Sequence, residues 1–200
     1  MEYDQKGDDN INRKMWIPLI LVIVVIVAAG GYYGYQEYQA TAYDNLLNQS
    51  EGSFVQIKDN LNQTGEKLSY ETNIGKIKQS INYTDQAINE TAQMINIAPD
   101  NVTKKYAEIR NDQFKLVKQV EEMYLRVYED IQTSGIFGAM SSIKTLKNET
   151  NSISAKMSDD QNQLITLVNT NPELKQRLTQ ILGEKKVKEL LVPINNTGIQ

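Results

Sequence analysis

The sequence predicts an all-α protein: a single N-terminal transmembrane helix followed by an elongated antiparallel helical bundle, with about four long helices plus a short C-terminal helix. Three observations predict it. Residues 15–36 carry no charged side chain and are mostly aliphatic, the pattern of a lipid-spanning helix. Beyond them, apolar residues recur at helical intervals, with very few strand signals. The breaks between these runs fall at Pro and Gly. The expected organisation is a cytoplasmic tail over 1–14, a signal-anchor helix over 15–34, an extracytoplasmic bundle over 35–171, and a short helix and tail over 172–200.

The span comes first. At 1.5 Å per residue, Trp16 to Tyr33 makes roughly 27 Å of helix, close to a hydrocarbon core of about 30 Å. Pro18 falls in the first turn, where its missing N–H does little harm. Arg13, Lys14 and Trp16 mark one membrane interface, and Tyr32, Tyr33, Tyr35 and Tyr38 crowd the other. Lys6, Arg13 and Lys14 precede the span, whereas the next basic residue is Lys58, so the N-terminus is expected in the cytoplasm and the rest outside. A cleaved signal peptide ending near Ala28, Ala29 and Gly30 is the rival reading, opposed by a long n-region with four acidic residues. Gly30 and Gly34 form a Gly-x-x-x-Gly pair that would let two anchors approach, although small residues near a helix end are the simpler reading.

The bundle elements follow in order. Leu47, Phe54, Leu61 and Leu68 recur every seven residues with Ile57 between them, while Gly52 and Gly65 inside this run, at about 1 kcal/mol each, bend or split the helix. Ile74, Ile77, Ile81, Ile88 and Ile95 form a second stripe, softened by Thr84 and Thr91. Pro99 ends it, and Asp100 or Asn101 caps a third helix carrying Tyr106, Ile109, Leu116, Val120, Met123, Val127 and Ile131. A corner at 134–138, with Gly135 and Gly138, leads to a fourth run through Met140, Ile143, Leu146, Ile153, Met157, Leu164 and Val168. Asn171-Pro172 opens the last helix, which Gly183 interrupts before Leu190 and Leu191. Heptads do not distinguish closure within one chain from closure between chains, so a homo-oligomer stands among the expected assemblies.

Asn-x-Ser/Thr triplets begin at Asn48, Asn62, Asn82, Asn89, Asn101, Asn148 and Asn195. With 19 Asn and 23 Ser or Thr in 200 residues, chance gives about two such triplets, and all seven lie on the side expected outside. Asn48 and Asn62 directly follow core-type Leu47 and Leu61, as Asn82 and Asn89 follow Ile81 and Ile88, so all four take a flanking, solvent-facing position. These asparagines are candidate glycan acceptors; the plainer reading is an Asn-rich polar face never used by an enzyme.

Candidate chemistry is thin. Without Cys there is no disulfide, thiol nucleophile or zinc-thiolate site, and without His the commonest near-neutral acid/base group is gone. The net charge of −4 argues against nucleic acid as a partner. Ser141 and Lys144 have the Ser-x-x-Lys spacing without the accompanying elements of a penicillin-binding site. Glu121-Glu122 and Glu129-Asp130 read as a polar helix face, and Asp159-Asp160 lacks the Gly and final Glu of a calcium loop. Lys185, Lys186 and Lys188 beside Leu190 and Leu191 read as a final helix packed on the bundle, and Tyr124 and Tyr128 beside Arg126 as rim packing. No catalytic, cofactor-binding or metal-ligating residue is assigned, and no cofactor is expected.

A short cytoplasmic tail, one span and an outer helical bundle resemble the layout of prokaryotic sensor ectodomains, in architecture and without diagnostic residues. Such receptors normally carry a second span and a signalling region; with about 14 residues inside, a signal here would pass through a separate partner. The expected function is a non-enzymatic, single-pass surface protein whose partners are the lipid bilayer and other membrane or envelope proteins. The alternative is an extracytoplasmic ligand-binding or accessory subunit with a small-molecule site between its helices.

Overall fold

The computed structural model describes residues 37–65 and 68–194. The expected tail 1–14, the span 15–34, the interface residues Arg13, Lys14, Trp16, Tyr32, Tyr33 and Tyr35, and the acceptor Asn195 lie outside the described residues. Among the described residues no helix is long and apolar enough to cross a membrane. The chain divides into two units, Met1–Thr41 and Ala42–Gln200. Residues 37–62 are helical, with Tyr38 exposed in the first unit; α1 denotes the part in the second unit, residues 42–62. There it is followed by α2 (Tyr70–Ile97), α3 (Asn101–Gly138), α4 (Met140–Thr170), α5 (Pro172–Leu182) and α6 (Glu184–Leu190).

Side-chain pairings fix the directions. Ser50 meets Met94, Ser53 meets Glu90 and Ser80 meets the Ile57 carbonyl, so α1 and α2 run antiparallel. Lys118 pairs with Asp85 and Lys78 with Glu129, which does the same for α2 and α3. Gln113 meets Gln161, and Ser142 Oγ donates to Asp130, so α4 returns along α3. Tyr43 donates to the Thr103 carbonyl and Glu51 holds Arg110, so α1 and α3 are parallel. The result is an up-down-up-down four-helix bundle. Beyond it α5 turns back onto α1, where Arg177 Nε lies 2.6 Å from Asp44 Oδ1.

Local chemistry sets the ends. Asp100 caps α3, its side chain accepting from the Thr103 N–H at 2.7 Å. Ser69 caps α2 by accepting from the Thr72 N–H. The Asn73 side-chain amide grips both the N–H and the C=O of Gly65, pinning the α1–α2 turn. At the α3–α4 corner Gly135 has φ 70°, a left-handed conformation that glycine adopts without strain, and a Cβ on Gly138 would fall 2.3 Å from the Ser134 Cβ. The short C-terminal helix is interrupted at Gly183, as the sequence leads one to expect, where φ is 84° and the chain divides into α5 and α6.

The main core gathers Tyr43, Leu47, Met94, Tyr106, Leu164 and Leu178, with Ile57, Ala87 and Phe114 as a smaller cluster. Three expected core positions are corrected. Leu68 is exposed in the α1–α2 turn, because the helix ends at residue 62 rather than running on; Phe54 is 36% exposed, lying over Arg110; and Met140 is exposed at the corner. The inward line of α2 is also rotated. Ile81, Ile88 and Ile95 are half-buried, while Ser80, Thr84, Thr91 and Met94 are fully buried.

Candidate functional site

The six described acceptor asparagines, Asn48, Asn62, Asn82, Asn89, Asn101 and Asn148, are all exposed, on α1 to α4. Their hydroxyl partners point the other way. Two residues on a helix are about 200° apart, so an outward Asn sends its Ser or Thr toward the bundle. Ser50, Thr84, Thr91 and Thr103 are buried. Five of the six hydroxyls donate to a carbonyl in the preceding turn, Ser50 to Leu47, Thr64 to Leu61, Thr91 to Ala87, Thr103 to Asp100 and Thr150 to Leu146, while the single Thr84 proton lies on an oxygen 2.7 Å from Glu121 Oε2 and 3.1 Å from the Ser80 carbonyl.

Inside, the bundle is held by a polar chain that periodicity did not reveal. Arg110 is buried and binds Glu51 through two bonds, Nε to Oε1 at 2.8 Å and Nη2 to Oε2 at 2.9 Å. Its Nη1 donates to Gln113, whose Nε2 donates to Gln161, whose Nε2 donates to the Leu190 and Val192 carbonyls. Donor and acceptor directions are fixed at both ends, by a guanidinium that only donates and carbonyls that only accept. One relay thus joins α1, α3, α4, the last residue of α6 and the segment after it. Phe54 and Phe114 face the guanidinium, with ring centroids 5.2 and 4.7 Å from Cζ. Burial is the largest influence on Arg110 and opposes its charge, but the Glu51 carboxylate and Tyr106 together hold the guanidinium above its ordinary pKa.

Glu121 corrects a sequence expectation: Glu122 is exposed as a polar face requires, but Glu121 is 1% exposed because its stretch of α3 meets α2. Its Oε1 accepts from Ser80 at 2.5 Å and its Oε2 from Thr84 at 2.7 Å. Burial pushes its carboxyl above the ordinary range, against the two hydroxyl donors, and Asp85 and Glu122 push the same way. Among the described residues no buried side-chain N or O lacks a hydrogen-bond partner. The Asn111 amide, for example, donates to Thr91 Oγ1 and the Ile88 carbonyl.

A cavity of about 380 Å³ opens beside Glu121, where α1 to α4 converge. Tyr124 and Tyr128, assigned to rim packing, line it together. The other sequence candidates do not converge. Ser141 and Lys144 are both exposed; Asp159 is exposed, Asp160 half-buried, and no group of three or more potential metal ligands occurs among the described residues. Lys185, Lys186 and Lys188 are exposed around buried Val187. Where α3 turns into α4, residues 132–138 are all exposed, with Ile136 at 59%, Phe137 at 94% and Met140 at 58%. No protein-family model matches the chain, and neither a curated protein nor a solved structure matches it.

Proposed function

We propose that the protein is a non-enzymatic, single-pass membrane-anchored surface protein whose N-glycosylated helical bundle is a structural and interaction module of the cell envelope. The uncharged aliphatic run over 15–34, with its basic residues on the N-terminal side, supports the anchor and its direction. The observation that carries the reading is the division of the exposed surface. Acceptor asparagines face solvent along all four long helices, while the α3–α4 corner carries no triplet and presents Ile136, Phe137 and Met140. Sugars solvate the flanks, and the bare apolar corner is the place for a protein contact. The test is the intact mass of the protein from its native membrane, before and after chemical deglycosylation. A full-length N-terminus with sugar-sized increments is expected. A chain beginning near Gly30 would remove the anchor, and an unmodified mass would remove the glycoprotein.

A further inference from the structure

The cavity beside Glu121 is chemically unlike an ordinary packing defect. Leu61, Ile77, Val117, Val120 and Met157 give it apolar walls drawn from all four long helices. Tyr124 and Tyr128, one turn apart on α3, add two aromatic rings. Glu121 adds a carboxylate that accepts from two hydroxyls and makes no ion pair among the described residues, although its charge reaches Lys118. The Lys118 ammonium is paired with Asp85 at 2.7 Å. The remaining charges near Glu121, Asp85 and Glu122, deepen the negative field. A buried carboxylate that meets only hydroxyls keeps spare acceptor capacity and gains from a countercharge. Apolar walls and tyrosine rings favour a cation with an apolar body over a hydrated metal or a free ammonium.

We propose that this cavity is a binding site for a small organic cation, an ammonium carrying an aromatic or aliphatic body, with Glu121 as its counter-ion and Tyr124 and Tyr128 as its aromatic wall. The cationic head sits toward Glu121 and the body fills the apolar side. The inference is independent of the anchor and the glycans, since it concerns residues within the bundle alone. Because burial raises the Glu121 carboxyl, a ligand of fixed positive charge competes with a proton, and its affinity rises with pH until Glu121 is ionised.

The test is calorimetric titration of the purified full chain in lipid nanodiscs with benzyltrimethylammonium, with its opposite-charge analogue benzylsulfonate as control and empty nanodiscs as blank. Saturable one-to-one binding of the ammonium alone, tighter at pH 8 than at pH 5, is expected. E121Q is expected to weaken it by about tenfold or more while the helical circular dichroism is retained. V120F, which fills the cavity and keeps the carboxylate, is expected to abolish it. No saturable binding of the ammonium, equal affinity for the sulfonate, or an affinity unchanged in both folded variants would each overturn the proposal.

Discussion

Arg110 holds its charge where water does not reach, so its partners decide whether that charge stabilises the bundle or strains it. Removing it in Arg110→Met leaves Glu51 buried with only the Tyr106 hydroxyl at 3.3 Å, and a broken buried pair costs about 3–5 kcal/mol. The double variant Glu51→Met/Arg110→Met removes both charges and is expected to recover most of that loss in urea unfolding; losses that simply add would show that the two groups are not coupled. Glu121 behaves differently, because its folded pKa is raised above its unfolded value. The stability it contributes is therefore fully present below the unfolded value of about 4.3 and is lost as pH rises through the folded one. Glu90 and Asp160, also raised first by burial, act in the same direction. The melting temperature is expected to fall between pH 5 and pH 8, by roughly 2–4 °C for each kcal/mol lost. Glu121→Gln is expected to shrink that fall and to raise the melting temperature at pH 8. A slope identical in the variant would mean that Glu121 is not the titrating group.

Several helix ends set by local chemistry were legible, Pro99 with its Asp100 cap, Pro172 in the first turn of α5 and the glycines 135 and 183, but the Ser69 cap of α2 was not read. The end of α1 was legible only as a bend or split at Gly52 or Gly65, because Leu68 continues the seven-residue spacing although the Asn73 grip on Gly65 has already turned the chain. The inward face of α2 was misread for a related reason. Ser80 and Thr84 look like weak core residues until Glu121, 41 and 37 positions away, arrives from α3. Periodicity sees one helix at a time, whereas a buried polar pair is a property of two. The α3–α4 corner tests whether an exposed element serves contact rather than stability. Phe137→Ser is expected to change unfolding free energy by no more than about 0.5 kcal/mol, since the ring is 94% exposed. Leu178→Ala, at a fully buried position of α5, is expected to cost about 2–5 kcal/mol. A photo-crosslinking residue at 137 in native membranes is expected to give discrete protein adducts that the same residue at exposed Gln132 does not. Equal labelling at both positions would remove the corner as a contact site.

At the scale of the whole molecule, folding and the proposed glycosylation would draw on the same hydroxyl groups. The outward placement of Asn48, Asn62, Asn82 and Asn89 was legible from the heptad frame, but the fate of the hydroxyls two residues on was not, since it depends on the helices closing around them. An Asn-x-Ser/Thr acceptor needs its hydroxyl as well as its amide. In the folded bundle all six described hydroxyls are committed, five to carbonyls of the preceding turn and Thr84 to Glu121, and Thr91 also accepts from Asn111. Under the proposed glycosylation, sugar transfer at these positions would therefore precede closure of the helices, and the finished fold leaves room for the sugars because every one of the six described asparagines faces solvent. A synthetic peptide covering residues 79–93, too short to hold a stable helix in water, is expected to accept sugar at Asn82 and Asn89 from the host transferase. The folded, unmodified full chain is expected to accept none at those two asparagines over the same interval, as read by peptide mapping. Equal transfer to the peptide and the folded chain would mean that α2 opens on the timescale of the enzyme, and the inward hydroxyls would then set no order between modification and folding.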